Sequence, residues 1–300
     1  MKIKTLTCIL VLLFFSACKG LTDIEEPEDD TDAEYLAKWH SMLAGCLPEV
    51  EDRYLYPAVP GSVAWANAAK EGEQYSYAGI FRAMQLPDDV LKNISTPGLL
   101  RSISELPYTT VTVSGQWSWT VAFHNFIYPR YNSVQEFINR KDAVETLFQY
   151  YDAIKFDCVK PLKEVELMED YDESMYEMRI RGRFYFAIFA VPGFFTFPKI
   201  LDQLDYADRQ KAVAIMLSKY DRMDATLSTT RLSEIMAHVM YQSNYLPLVE
   251  YFQPKIEKNR CPNWDEDYFE GGQDLFNLYQ EVYRDLNTLI VHSFAKTFIQ

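Results

Sequence analysis

Histidine is scarce in this sequence. His40, His124, His238 and His292 are all that 300 positions supply, so a multi-histidine metal centre has almost nothing to draw on. His-Glu-x-x-His, Gly-x-Ser-x-Gly, the Gly-rich phosphate loop and the dinucleotide fingerprint are all missing. No metal and no cofactor is therefore expected. Positive charge is short as well: 29 Lys and Arg against 43 Asp and Glu leave a net charge of −14. Nucleic acid and anionic headgroups repel such a chain, which argues against a nucleic-acid partner. The five cysteines make no Cys-x-x-Cys pair. After the N-terminus no apolar run reaches the ~20 residues of a membrane span. The strongest, residues 184–195, contains Pro192 and Gly193 and reads as a buried helix with its exit turn.

What the sequence does hold begins at its start. Lys2 and Lys4 precede an apolar run from Cys8 to Phe15, followed by the small residues Ser16 and Ala17. That order is the signature of a secretory leader. Phe15-Ser16-Ala17-Cys18 resembles the bacterial lipoprotein box, with Phe where Leu is usual. The resemblance implies that residues 1–17 are removed, that Cys18 is lipidated, palmitate among its acyl chains, and that the chain is held at the outer membrane of a bacterial envelope. From 19 to 34, eight acids face one base, Lys19. Such a stretch buries little and repels itself, so residues 18–34 are expected to be a lipidated, disordered acidic tether with a reach of about 50 Å. Acids soon after a lipidated cysteine also resemble the surface-export signal of Bacteroidota lipoproteins. Cys46, Cys158 and Cys261 read either as buried thiols or, in an oxidising envelope, as one disulfide plus one thiol.

Residues 35–300 read as a single helical domain. Tyr35, Leu36, Trp39, Met42, Leu43 and Cys46 recur at three and four, as one buried face requires. Similar stripes run through Leu99–Leu106, Val144–Ile154, Ala212–Tyr220 and Leu232–Met240, and one from Leu275 to Phe294 holds register for about five turns. Start signals accompany them: Thr96-Pro97 as N-cap and first residue, a capping box Ser133-Val-Gln-Glu136, and Asp142 before the Val144 stripe. One segment differs. Val111, Val113, Trp117, Trp119, Val121 and Phe123 alternate around Ser114-Gly115, so residues 110–123 are expected to form a small β-hairpin. The endings Leu147–Asp152 and Met216–Asp221 echo one another. The expected class is all-α, with antiparallel helix pairs in a HEAT-like stack or an irregular bundle.

Three segments add a resemblance: Leu86-Pro-Asp-Asp-Val-Leu-Lys-Asn-Ile-Ser-Thr-Pro-Gly-Leu-Leu100, then Leu106-Pro-Tyr108, then Arg140-Lys-Asp-Ala-Val-Glu-Thr-Leu147. They are similar to a family of secreted Bacteroidota lipoproteins without an assigned activity. The resemblance implies an α-helical, repeat-like domain and the envelope compartment. It also implies helix over residues 116–131, against the alternation just described.

Candidate sites are few. Trp117, Trp119 and Tyr131 belong to an aromatic-dense stretch that reads as a stacking platform for a sugar or protein partner, or as a core patch. Arg179, Arg181 and Arg183 form a basic knot suited to an anionic ligand, or to pairing with Glu164, Glu166, Glu169 and Asp170. Glu234 and His238 stand four apart on a helix, which is metal-ligand spacing and equally the spacing of a surface pair. Asp265-Glu-Asp267 with Glu270 reads as an acidic turn before a helix start at Asp274, or as a calcium loop. No catalytic constellation is recognisable. The function expected is a membrane-anchored envelope lipoprotein that binds or scaffolds a protein or glycan without catalysis. The alternatives are a hydrolase with an unrecognised carboxylate pair, or a purely structural lipoprotein.

Overall fold

The computed structural model of the chain describes residues 29–70, 78–107, 120, 123–155, 182–222, 227–258, 272–284 and 288–300. All regular structure among them is helical. The first half contains α1 (Asp29–Ser41), α2 (Val63–Lys70), α3 (Ala78–Ala83), α4 (Asp88–Asn93) and α5 (Thr96–Ser104). It continues with a π-helical turn (Phe123–Ile127), α6 (Asn132–Phe137) and α7 (Ala143–Ala153). The second half opens with α8 (Gly182–Gly193), a 3-10 turn (Phe194–Thr196), α9 (Pro198–Leu201) and α10 (Tyr206–Tyr220). It closes with α11 (Leu227–Gln242), α12 (Leu246–Lys258), α13 (Gly272–Arg284) and α14 (Thr288–Phe298).

Three of these helices are enclosed by the others. α5 packs on α6, α7 and α8, and α8 on α5, α7 and α11. α11 meets α8, α10, α12, α13 and α14. An enclosed helix carries apolar residues on most of its circumference. Ala187 to Val191 are accordingly all buried on α8, as are Leu232, Ile235, Met236, Ala237, Val239 and Met240 on α11. In a solenoid each unit touches only its neighbours in sequence. The fan of contacts around α11 is that of an irregular bundle. At the exit of α8, Phe194 packs on Phe123 (5.4 Å), Phe137 (4.6 Å) and Phe197 (5.9 Å), joining the π-helical turn, α6 and the 3-10 turn through ring contacts.

The helix starts depart from the sequence reading for a common reason: side chains expected to cap are used across the fold. The N-cap of α5 is Ser95, one residue before Thr96, and its hydroxyl accepts from Gly98 N at 3.0 Å. Asp52 then receives both the backbone N–H and the hydroxyl of Ser95, at 2.5 and 2.6 Å. Burial pushes the Asp52 carboxyl up, but those hydrogen bonds outweigh it and hold it below its ordinary value. A Cβ at Gly98 would run into this carboxylate. Thr96 donates to Asp142 (2.7 Å), which leaves Asp142 as the N-cap of α7 without a cap bond. The Ser133 box does not form either; α6 starts at Asn132, whose side chain pairs with both backbone groups of Leu86.

Four further expectations change. Residues 29–34, expected to belong to the disordered tether, are helical in α1, where Asp32 accepts from Val63 N at 3.1 Å. Acids at a helix start are favoured by the macrodipole. Of the expected hairpin, Thr120 and Phe123 are described and both are helical; the rest of it lies outside the described residues. The long C-terminal stripe is recorded as two helices, α13 and α14. Cys46 is disulfide-bonded, with its partner outside the described residues, so the reading of three buried thiols does not hold.

The polar content of α5 is the most demanding feature. Arg101 is fully buried. Its guanidinium donates to Pro48 O (2.7 Å) and to Glu105 (3.1 Å). Glu105 is buried too, and Arg53 donates to both of its oxygens at 3.1 Å and to His40 O at 3.2 Å. Burial disfavours the Arg101 charge, yet Glu105 more than restores it and the pKa ends above its ordinary value. These contacts fasten residues 48–53 and the end of α1 onto α5. Removing Arg101 leaves the buried Glu105 with Arg53 alone and takes the donor from Pro48 O. Arg101→Met is therefore expected to lower stability by about 3–5 kcal/mol in urea denaturation, and a loss below about 1 kcal/mol would contradict this account of the core.

Candidate functional site

Most residues singled out in the sequence lie outside the described part: Cys18, Trp117, Trp119, Arg179 and Arg181, together with the Asp265–Glu270 turn. Arg183 falls in the first turn of α8, and its side chain is not among those described. Tyr131 is described, and its place corrects the platform reading. It is 1% exposed and packs on Phe81 at 5.9 Å between ring centroids, with burial raising its pKa well above the ordinary value. A ring sealed in this way is core, and no ligand reaches it from solvent.

Glu234 and His238 also change place. They share α11 as expected, but both are buried, so the surface-pair reading fails. Among the described residues no group of His, Cys, Asp and Glu has the arrangement of a metal site. Their partners are instead hydroxyls from other elements. The Thr120 backbone N–H and hydroxyl both donate to Glu234 Oε2, at 3.3 and 3.4 Å. His238 Nδ1 hydrogen-bonds the Tyr279 hydroxyl of α13, with the two rings stacked at 5.9 Å. Burial raises the Tyr279 pKa far above its ordinary value, and Glu234 adds to the shift, so Tyr279 stays protonated.

His124 stands beside this group in the π-helical turn, a rare geometry closed by Tyr128 N donating to Phe123 O at 2.9 Å. Thr196 uses its one hydroxyl proton on Gly193 O (2.6 Å), so His124 Nε2 must be the donor in the 2.8 Å bond to Thr196 Oγ1. Burial, and secondarily the nearby His124, pushes His238 down from 6.5 to about 3. The imidazole is therefore neutral at pH 7. The sequence signal for this cluster was the four-residue spacing alone; Tyr279 and Thr196 carried none.

Open depressions lie on the described surface. One of about 450 Å³ beside α1 is lined by Leu36, His40, Arg53, Leu55, Tyr56 and Pro57 among others. Another of about 220 Å³ is lined by Asp88, Leu91, Lys92 and Glu136, with Glu136 engaged by Arg140 at 3.1 Å. The second brings two carboxylates together, but one is already held in an ion pair. A ribbon of edge-to-face rings crosses α10, α14 and α12, from Tyr206 through Phe298, Tyr245 and Phe294 to Tyr251. Tyr206 is 51% exposed at one end, and Lys255 Nζ lies 4.0 Å from the Tyr251 ring centroid at the other. No family model, no curated protein and no solved structure matches this chain.

The buried histidine has a measurable consequence. A group whose folded pKa is depressed contributes stability above its unfolded value and loses it as pH falls toward the folded one. Stability is therefore expected to fall between pH 6.5 and about 3, with His238 accounting for a loss on the order of 4 kcal/mol. In thermal or urea unfolding, His238→Gln should flatten that slope above pH 4.5, where carboxylates contribute less. An identical slope in the variant would refute the assignment.

Proposed function

We propose that this chain is a lipid-anchored lipoprotein of a bacterial envelope, held at the outer membrane, whose helical body is a non-enzymatic binding or scaffolding module for a protein or glycan partner. The observation that carries the reading is Phe15-Ser16-Ala17-Cys18 at the end of a basic, then apolar leader. Three acyl chains, as in the lipoproteins that this box resembles, exceed the two signals needed for stable anchoring.

Other features support it. A cystine at Cys46 suits an oxidising compartment. Among the described residues no helix is long and apolar enough to cross a membrane, and in this reading the lipid supplies the hold. α1 begins at Asp29, so residues 19–28 separate the anchor from the first helix and span at most ~35 Å. The negative charge then keeps the body off anionic headgroups.

In cells that process lipoproteins, the natural chain is expected to stay with the membrane fraction through a high-salt wash. Cys18→Ser should move to the soluble fraction with an unchanged helical circular dichroism spectrum. Equal membrane retention of both would sink the anchoring reading. Protease added to intact cells should degrade the body if the acidic stretch is a surface-export address; complete protection would place the body on the inner face instead.

A further inference from the structure

We infer that the depression beside α1 binds a small monocarboxylic acid with an apolar body, the carboxylate held by Arg53 and the body by Leu36, Ala37, Leu55 and Pro57. Its volume of about 450 Å³ lies within the roughly 300–1,000 Å³ that small-molecule sites occupy. One wall is α1, which supplies Leu36 and Ala37; the other is the non-helical chain from 53 to 57. Leu55 is 50% exposed on that wall, whereas Tyr56 beside it is sealed. An exposed leucine in a concave wall is apolar area that a bound group can cover.

Charge selects the occupant. The chain carries a net −14, yet among the described residues no Asp or Glu lines this depression. Arg53 and Arg101 meet on one carboxylate, Glu105, at 3.1 Å each, which leaves positive charge in excess behind the wall. Glu49 acts on Arg101, but it is exposed and lies outside the lining. A guanidinium has five N–H donors. Arg53 spends Nη1 on the two oxygens of Glu105 and one Nη2 hydrogen on His40 O, so Nε and the other Nη2 hydrogen have no acceptor among the described residues. A carboxylate has two oxygens to offer them.

The other polar side chains of the lining are spent. Ser41 donates to Lys38 O at 2.9 Å, and His40 Nε2 donates to Tyr56 O at 3.0 Å. The Tyr56 hydroxyl is shut off from solvent. The end of a peptide would bring backbone groups for which these side chains hold no further donor. A small acid asks only for the two on Arg53. Such a ligand is additional to the protein or glycan partner proposed above and does not depend on the lipid anchor.

Titration calorimetry of octanoate into the full chain at pH 7 tests the site. Expected is one saturable site with a Kd on the order of 0.1 mM, and no comparable binding of octanol or octylamine. Arg53→Gln should weaken octanoate about tenfold or more. Because Arg53 also holds Glu105, Leu55→Asp serves as a second variant. That side chain is exposed, so the circular dichroism spectrum should stay the same, while the new carboxylate and the lost apolar area weaken octanoate by about tenfold. Absence of octanoate binding, equal binding of octanol, or an affinity that neither variant changes would each overturn the inference. A peptide ending in leucine that binds through its free carboxylate where octanoate does not would overturn it as well. None of these results bears on whether Cys18 is lipidated.

Discussion

A guanidinium sealed inside α5 sets the terms for the first half of the molecule. Arg101 has no exposure, and a charge in that position is tolerable only beside an opposite charge and hydrogen-bond acceptors. Glu105 provides the charge, Pro48 a carbonyl, and Arg53 closes the far side of Glu105 while reaching His40 O. Pro48 and Arg53 come from chain that has no helix of its own to pack it. Residues 48–54, which run in extended or turn conformation, thus acquire a fixed path over α5, confirmed by Tyr54 N donating to Ser102 at 2.8 Å. Asp52 on that same path then anchors Ser95 at the start of the helix. One helix is held at both ends by one loop.

The second half solves the same problem with neutral groups. α11 is enclosed by five helices, and its buried Glu234 and His238 are met by the hydroxyls of Thr120 and Tyr279. The difference has consequences for pH. The buried neutral imidazole of His238 makes acid the natural route to disrupting α11. Elsewhere cations serve as helix ends: Arg209 donates to Leu201 O, Leu204 O and Gln242 O, and Arg140 to Leu91 O and Ile94 O. In each case a positive side chain gathers carbonyls that a helix or turn has left over.

How much of this was legible in the sequence follows from what periodicity measures. Spacing at three and four reports which face is apolar, and it located α5, α7, α10 and α11 together with most of their buried residues. It carries no information on polar residues within an enclosed helix, because a partner on another element decides whether Arg101, Glu234 or His238 can be buried. Polarity alone argued for a surface, and for Glu234 and His238 that was wrong. Caps failed in the same way. Ser133 sits where a local rule expects a cap and is buried instead, while Asn132 spends its side chain on Leu86. Aromatic density was ambiguous from the outset, and Tyr131 proved to be core.

The proposed function joins a membrane address to this helical body. α1 is tied down through Asp32 and His40, and the turn after it through the Cys46 cystine. A domain fastened at its N-terminal helix is suited to being held from that end, a short acidic span away from a lipid. The most direct measurement is the mass of the N-terminal peptide of the chain isolated from the membrane. A peptide beginning at Cys18 and carrying a thioether-linked diacylglycerol with an acylated amine is expected. An unmodified Cys18, or a mature chain starting elsewhere, would contradict the account.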